Sequence, residues 1–437
     1  MSVPLDRLYN HLDGLCNHDI LIYRFYPHGS KKLTDLLSLY DFRQFGWKHQ
    51  IEKPGAICHD QEPLFFDQYN KNDMLDYFKH HAPVIESDTA LANRVKTLIN
   101  EQHLRSVIST RHSVYDKTLL VHSEKNSINL SQYEAIGFVG VYWWAHAAIA
   151  ADWYRYAEYD VNLIPNFDLV KKDFLIYNRA WSGTREYRLK FTECIVQSNL
   201  QDRCLTTFNV KCESGIYADF VPKNPKLQIN QFDLETYLNP CLVDGTASAD
   251  YNNHDYQTTA IEVVLETLFD DTRWHLTEKT LRPIACGQPF MLAATAKSLQ
   301  YLRSYGFKTF DGLIDESYDL IQDPLERLQS ICAEMKRISQ LPTEQKQQLW
   351  KELYKISAYN KNLFFSSTWQ QSVFDEFVSN LTIAMDCMDQ SKNGTYWCKF
   401  RDVWNLDPES GPEKFKLSDS ILLESMKHQT EVEKLIK

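Results

Sequence analysis

Two clusters of residues carry chemistry by type and spacing. The first is Thr277-Glu278-Lys279, inside the run Arg273-Trp-His-Leu-Thr-Glu-Lys-Thr-Leu-Arg-Pro-Ile-Ala-Cys-Gly-Gln-Pro-Phe-Met-Leu292. Thr277 is a helix-opening residue whose hydroxyl caps free backbone N–H groups. Glu278 and Lys279 then fall in the first helical turn, where exposed N–H groups favour a phosphate. Gly287 ends the helix, and Pro289-Phe-Met-Leu-Ala enters a sheet. A carboxylate for a ribose hydroxyl beside a cation for a pyrophosphate is what a sugar-nucleotide site needs. The second cluster is His59-Asp60-Gln61-Glu62-Pro63. A strand delivers it and Pro63 fixes the exit. A carboxylate there can take the proton of an attacking hydroxyl as a general base. Glu62 is the first candidate and Asp60 the second, with His59 beside them for the acceptor.

The elements that must hold these residues follow from hydrophobic runs and turn signals. Asp19-Ile-Leu-Ile-Tyr-Arg-Phe, Gly55-Ala-Ile-Cys-His, Leu119-Leu-Val-His and Phe138-Val-Gly-Val-Tyr each read as a buried strand followed by a polar loop. Helices are expected between them over about 31–40, 68–80, 87–102 and 145–158. The pattern restarts with Asp173-Phe-Leu-Ile-Tyr-Asn as a strand and Thr184 to Ser198 as an amphipathic helix. Further strands are expected at Cys204-Leu-Thr-Thr-Phe, Ala260-Ile-Glu-Val-Val-Leu-Glu-Thr and Thr309-Phe-Asp. From Asp323 onward the chain reads as helical and charged. Strands alternating with helices imply parallel sheets covered on both faces, with ligands at the carboxyl edge. The expected plan is α/β: two Rossmann-like parallel-sheet domains, 1–165 and 166–325, facing a cleft. A helical segment, 326–437, packs back on the first.

Other polar residues collect just after strands. His122, Ser123 and Glu124, with Lys125, follow the third strand and are candidates to touch acceptor or sugar. His146 closes Tyr142-Trp-Trp-Ala-His and stands with them, although a satisfied buried histidine is the commoner case. Arg179, Arg185 and Arg188 offer local positive potential. Pro27-His28-Gly29-Ser30 is a weaker phosphate-loop candidate. No close His cluster or Asp-x-Asp marks a metal site, so transfer is expected without a metal, with arginine and lysine in place of a cation.

The net charge of −11 argues against nonspecific coating of nucleic acid and leaves room only for a local basic groove. No apolar run approaches the roughly 20 residues of a membrane span, and the start of the chain lacks a basic-then-apolar signal. The ten cysteines include no Cys-x-x-Cys pair, as expected of a reducing compartment. A cytoplasmic protein with no membrane partner is the expectation. Oligomeric state is not read from the sequence.

Asp173-Phe-Leu-Ile-Tyr-Asn-Arg-Ala-Trp-Ser-Gly-Thr-Arg-Glu-Tyr-Arg is similar to a segment of α1,3-fucosyltransferase-like enzymes that runs from a strand through an Asn to a phosphate-binding Arg. Ile261-Glu-Val-Val-Leu-Glu-Thr followed by Leu276-Thr-Glu-Lys-Thr-Leu-Arg-Pro-Ile resembles their donor motif, with Glu266-Thr267 in place of Glu-Asn. Glu62-Pro63 resembles their Glu-Ser-Pro element without the serine. The resemblance implies a GT-B fold and a donor site of Arg179, Arg185, Arg188, Glu266, Thr277, Glu278, Lys279 and Thr280. In it Glu278 binds ribose, Lys279 binds a phosphate, and Arg185 or Arg188 neutralises the leaving group. The Asp-Gln-Glu-Pro, Asn-Arg-Ala-Trp-Ser and Thr-Glu-Lys blocks together also resemble glycosyltransferases of tailed phages. The implied activity is inverting, metal-independent sugar transfer from a nucleotide-sugar co-substrate, with no other cofactor. A hydroxylated pyrimidine of double-stranded phage DNA, a modified cytosine, is the narrowly favoured acceptor for a glucosyl or arabinosyl group. A phage enzyme would act in the host cytoplasm. The alternatives are a transferase of capsule or lipopolysaccharide glycan, or a non-catalytic nucleotide- or carbohydrate-binding protein.

Overall fold

The computed structural model describes residues 20–24, 56–61, 118–126, 138–156, 167–212, 215–230, 233–234, 239–240 and 248–392. It is α/β, with two parallel sheets. The first sheet holds β1 (Ile20–Arg24), β2 (Ala56–Gln61), β3 (Thr118–His122) and β4 (Phe138–Tyr142), paired in that order and all parallel. Each strand lies in one of the apolar runs expected from the sequence. The helices expected over 31–40, 68–80 and 87–102 fall outside the described residues. The helix expected near 145–158 is α1 (Ala145–Tyr156).

The second sheet contains β5 (Lys172–Asn178), β6 (Cys204–Phe208), β9 (Asn239–Pro240), β10 (Thr259–Leu265) and β11 (Phe290–Ala293). A two-stranded antiparallel ribbon, β7 (Lys211–Cys212) and β8 (Gly215–Ile216), stands apart from it. The spatial order is β11-β10-β5-β6-β9, all parallel. In chain order this sheet grows outward from β5 through β6 to β9. It then returns to the other side of β5 with β10 and β11. The direction of growth reverses between β5 and β10, and in open parallel sheets that reversal opens a crevice at the carboxyl ends of the two strands. The residues that meet there are those after Asn178 and after Leu265.

Local chemistry explains the elements on either side of this point. All seven residues of β10 are buried, as befits a central parallel strand covered on both faces. Its one charged member, Glu262, is fully buried and ion-paired to Arg282. Helix α2 (Tyr187–Gln197) crosses from β5 towards β6. A short helix, α3 (Asn253–Thr258), leads into β10. Helix α4 (Glu278–Cys286) joins β10 to β11; Thr277 caps its start, and Gly287 ends it in the left-handed region at φ 74°. After β11 comes α5 (Ser298–Ser304). Thr309-Phe-Asp, expected as a strand, forms only a single bridge between Asp311 and Ile314. Phe310 is spent there on the core, against Phe290.

Three long helices follow: α6 (Pro324–Ser339), α7 (Thr343–Phe364) and α8 (Ser367–Lys392). Among the described residues, one compact unit holds 146–371 and the other holds β1–β4 with 372–392. The segment 326–437, read from sequence as one tail on the first domain, therefore divides. Helix α7 belongs with the second sheet: Lys346 Nζ is 2.7 Å from Asp173 Oδ2, and Tyr354 donates to Gln288 Oε1 at 2.8 Å. Trp350 and Leu353 bury its apolar face. From position 372 the chain serves the first sheet's unit. There Trp143 Nε1 donates to the Val373 carbonyl at 2.9 Å, and the Trp143 ring stacks on Phe377 at 4.2 Å. Helix α1 from His146 onward lies in the unit of the second sheet.

Candidate functional site at the carboxyl edge of the second sheet

Two side chains from the start of α2 reach the carboxyl end of β10: Tyr187 donates to the Glu266 carbonyl at 2.7 Å, and Arg188 ties that end to β5. Arg188, near the start of α2, is 2% exposed. Its Nη1 donates to the Ala180 carbonyl at 2.7 Å, just past β5. Its Nη2 donates to the Leu265 and Glu266 carbonyls at 2.6 and 3.0 Å, at the end of β10. Its Nε has no hydrogen-bond partner among the described residues. Asn178, the last residue of β5, holds the α2 backbone in place by donating to the Arg188 carbonyl at 3.3 Å and Thr192 Oγ1 at 3.0 Å. Carbonyl dipoles orient this guanidinium without cancelling its charge, so the crevice keeps a buried positive centre.

The start of α4 sits beside it and is arranged differently from the sequence expectation. Glu266, fully buried, accepts five hydrogen bonds. Oε1 takes Thr277 N–H at 2.9 Å, Thr280 N–H at 3.2 Å and Thr280 Oγ1–H at 2.6 Å. Oε2 takes Thr277 Oγ1–H at 2.8 Å and Thr267 N–H at 3.1 Å. The anion at the helix start is therefore the protein's own. Helix-end N–H groups do attract a negative charge, but Glu266 supplies it from 11 residues upstream. Glu266, Thr277 and Thr280, expected as donor ligands, are buried and committed to one another, and act here as a cap. With five donors, the lone pairs of the Glu266 carboxylate are taken up within the fold.

Glu278 is the second carboxylate at this helix start, and its commitments are fewer. Oε1 accepts from Lys279 Nζ at 2.7 Å and from the Ser248 hydroxyl. Oε2 has one contact, His146 Nδ1 at 3.6 Å, beyond hydrogen-bond range. Burial works against its charged form, but Lys279 first, then His146 and Ser248, outweigh it and hold the carboxyl well below the usual carboxylate range. Glu278 is thus an ionised, buried acceptor whose Oε2 accepts no hydrogen bond among the described residues. Lys279 Nζ also reaches Thr277 Oγ1 at 3.1 Å, and its side chain is 15% exposed. Burial lowers the Lys279 pKa, and Arg188 lowers it further, so the two cations act on one another. Glu278 and Glu266 oppose that shift.

Around Glu278 stand residues from distant segments. The His146 ring meets His275 edge-on at 5.2 Å. Tyr154 Oη lies 3.0 Å from the Ala249 carbonyl and 3.3 Å from the Glu278 carbonyl. Arg282 donates Nη1 to the Ser248 carbonyl while its other nitrogens are held by Glu262 and by Tyr256 Oη. Ser248, Tyr154, His275 and Arg282 were not among the expected site residues. Ser248 has no sequence signal, since Thr246-Ala-Ser-Ala-Asp reads as an ordinary loop. Arg282 had one: an arginine on the buried face of a helix needs a buried partner.

The other expected residues distribute as follows. Arg179 and Arg185 are half-buried in the segment between β5 and α2, on the crevice side of the sheet. His146, expected for acceptor or sugar, lies against Glu278. In the other unit Ser123 and Glu124 are fully buried after β3, and Ser123 Oγ has no partner. Lys125 Nζ lies 5.8 Å from the centre of the Tyr142 ring. Asp60 and His59 are in β2 and His122 ends β3; the register pairs Gln61 with His122 and Asp60 with Val121, so these positions share one sheet edge. Glu62 lies outside the described residues.

Among the described residues no group of three or more His, Cys, Asp or Glu side chains is arranged to hold a metal ion, and no helix is long and apolar enough to cross a membrane. Comparison of this chain with protein-family models, with curated proteins and with solved structures gave no match.

Proposed function

We propose that this chain is a cytoplasmic, nucleotide-sugar-dependent glycosyltransferase of GT-B type, whose donor binds at the carboxyl edge of the second sheet. One observation carries the reading: a buried arginine crosses the reversal point between β5 and β10, in the same unit as a lysine paired with a carboxylate whose Oε2 accepts no hydrogen bond among the described residues. A nucleoside diphosphate fits that set. Its ribose hydroxyls donate to Glu278, and its diphosphate meets Lys279 and the field of Arg188, with Arg179 and Arg185 beside it.

The same groups suit the chemistry. In inverting transfer the acceptor oxygen attacks the anomeric carbon as the bond to the donor phosphate breaks. The proton goes to a carboxylate, and negative charge grows on the leaving diphosphate. Fixed cations at that point stabilise charge where it develops, which a metal does in other enzymes. The proton acceptor in this proposal is Glu62, with Asp60 as the second candidate, on their sequence pattern. The favoured acceptor is a hydroxymethylated pyrimidine in DNA.

The test is incubation of the protein with a panel of nucleotide sugars and hydroxymethylcytosine-containing DNA, with and without chelator, followed by mass spectrometry of digested nucleosides. The expected result is one nucleoside heavier by a pentose or a hexose, formed equally with chelator present. Transfer to a glycan acceptor instead of DNA would replace the acceptor. Binding of nucleotide sugars with no transfer to any acceptor would leave a binding protein. No interaction with any nucleotide sugar would overturn the proposal as a whole.

A further inference from the structure

We infer that Ser248 is a positioning residue for Glu278 and thereby sets a preference for ribonucleotides over 2′-deoxyribonucleotides; this deepens the donor-site reading above and rests on it. The ribose of a nucleoside diphosphate presents two neighbouring hydroxyl donors. A carboxylate discriminates ribose from deoxyribose only if it is held so that both hydroxyls find a lone pair. Glu278 is held that way from one side. The Ser248 hydroxyl and Lys279 Nζ both donate to Oε1. Oε1 is thereby fixed, and Oε2, 3.6 Å from His146, is left to receive. Without the serine hydroxyl, Oε1 is held by the flexible lysine alone. The carboxylate can then turn about its last bond, which has a broad torsional well.

Ser248 is itself fixed. Its carbonyl accepts from Arg282 Nη1, and Arg282 is locked by the fully buried Glu262 and by Tyr256 Oη at 3.0 Å from its Nε. The next carbonyl, of Ala249, accepts from Tyr154 Oη at 3.0 Å. Tyr154 also reaches the Glu278 carbonyl at 3.3 Å, so one buried tyrosine ties the loop to the helix start. Two consecutive carbonyls anchored by buried donors place the half-buried Ser248 side chain, and the side chain places Glu278. Supporting groups of this kind decide how well a site holds its productive geometry.

The experiment is titration calorimetry of the full chain with ADP, GDP, CDP and UDP and their 2′-deoxy counterparts, for the native protein, Ser248→Ala, Ser248→Thr and Ser248→Cys. The native protein should favour its preferred ribonucleotide over the deoxy form. Ser248→Ala should shrink that ratio by about three- to tenfold, the net worth of one ordinary hydrogen bond, because the serine acts on the sugar only through Glu278. It should do so by weakening the ribonucleotide while leaving the deoxynucleotide within about twofold. Ser248→Thr, which keeps the hydroxyl, should restore the ratio, and Ser248→Cys, a weak donor of similar size, should fall between. Should the alanine variant not fold, the cysteine variant carries the comparison. An unchanged ratio, or an equal loss for both sugars, would overturn the inference and leave the donor site standing. A native protein that binds no nucleoside diphosphate would overturn the donor site and the inference together.

Discussion

Replacing Glu266 by glutamine removes one negative charge from the start of α4 and leaves the volume unchanged. The native carboxylate accepts five hydrogen bonds. In the amide, the oxygen can keep the three donors now on Oε1. The NH₂ group then stands where Oε2 was, facing Thr267 N–H and the Thr277 hydroxyl. The hydroxyl can rotate to accept; the N–H cannot. An orphaned buried N–H costs about 1–3 kcal/mol. Losing the negative charge at the helix start costs a further ~1 kcal/mol, and up to about 2 kcal/mol in a partly buried setting. The three remaining bonds also weaken once the acceptor is neutral. The expected destabilisation is about 3–4 kcal/mol, which for a unit of this size lowers the thermal midpoint by roughly 6–15 °C. Scanning calorimetry of the native and Glu266→Gln chains measures it, and nucleotide titration on the same samples separates the two roles of this residue. If Glu266 is the cap described here, stability falls, and nucleotide affinity is largely kept below the lowered midpoint. A midpoint within about 2 °C of native, with nucleotide binding abolished, would refute the cap and return Glu266 to the donor.

Three further outcomes are expected. Lys279→Ala should weaken nucleoside-diphosphate binding by roughly 10- to 150-fold, the effect of one charge-assisted hydrogen bond; an affinity unaltered in calorimetry would remove Lys279 from the site. Lys346→Met leaves Asp173 buried without its partner, 2.7 Å away in the native fold. It should cost about 3–5 kcal/mol in urea unfolding, most of it recovered on adding Asp173→Leu; equal losses in the single and double variants would show that the pair is not coupled. Burial pushes the Asp319 carboxyl up to about 6, against the Leu299 N–H and Arg303, which pull it down. The folded state then binds more protons than the unfolded state between pH 4 and 6, so stability contributed at low pH is lost as pH rises through the folded value. The stability of the native chain relative to Asp319→Asn should fall by about 2 kcal/mol between pH 4 and 7, and a pH-independent difference would show that Asp319 titrates normally.

The parts of the fold legible in the sequence are those fixed by short-range patterns. The strand at Thr259–Leu265 is an almost unbroken apolar run because a parallel strand is buried on both faces. Helix α4 starts at Thr277 and stops at Gly287 because those residues satisfy its ends. Strand order was not legible. Alternation of strands and helices says that a sheet is parallel, not that β10 returns to the far side of β5. The partners of Arg188 were hidden for the same reason, since the Leu265 carbonyl is 77 residues away. Amphipathic patterning showed that the segment after Asp323 buries a face, but a periodic stripe does not name what it packs on. Only the folded chain shows that Lys346 and Tyr354 tie α7 to the second sheet.

A helix start favours an anion, and at the start of α4 the buried Glu266 carboxylate takes that place. Two carboxylates compete for one end, and their bonding separates them. Glu266 is saturated by donors from Thr267, Thr277 and Thr280 and cannot exchange a partner without unravelling the turn. Glu278 shares one oxygen between Lys279 and Ser248 and meets only a histidine, at 3.6 Å, with the other. The first neutralises the helix end permanently. The second is the partner of Lys279, so a diphosphate that meets Lys279 shares its ammonium with Glu278, while Arg188, held by three backbone carbonyls, keeps its charge uncancelled by a direct carboxylate partner. Lys279 Nζ gives two of its three N–H groups to Glu278 and Thr277, which leaves one for a ligand.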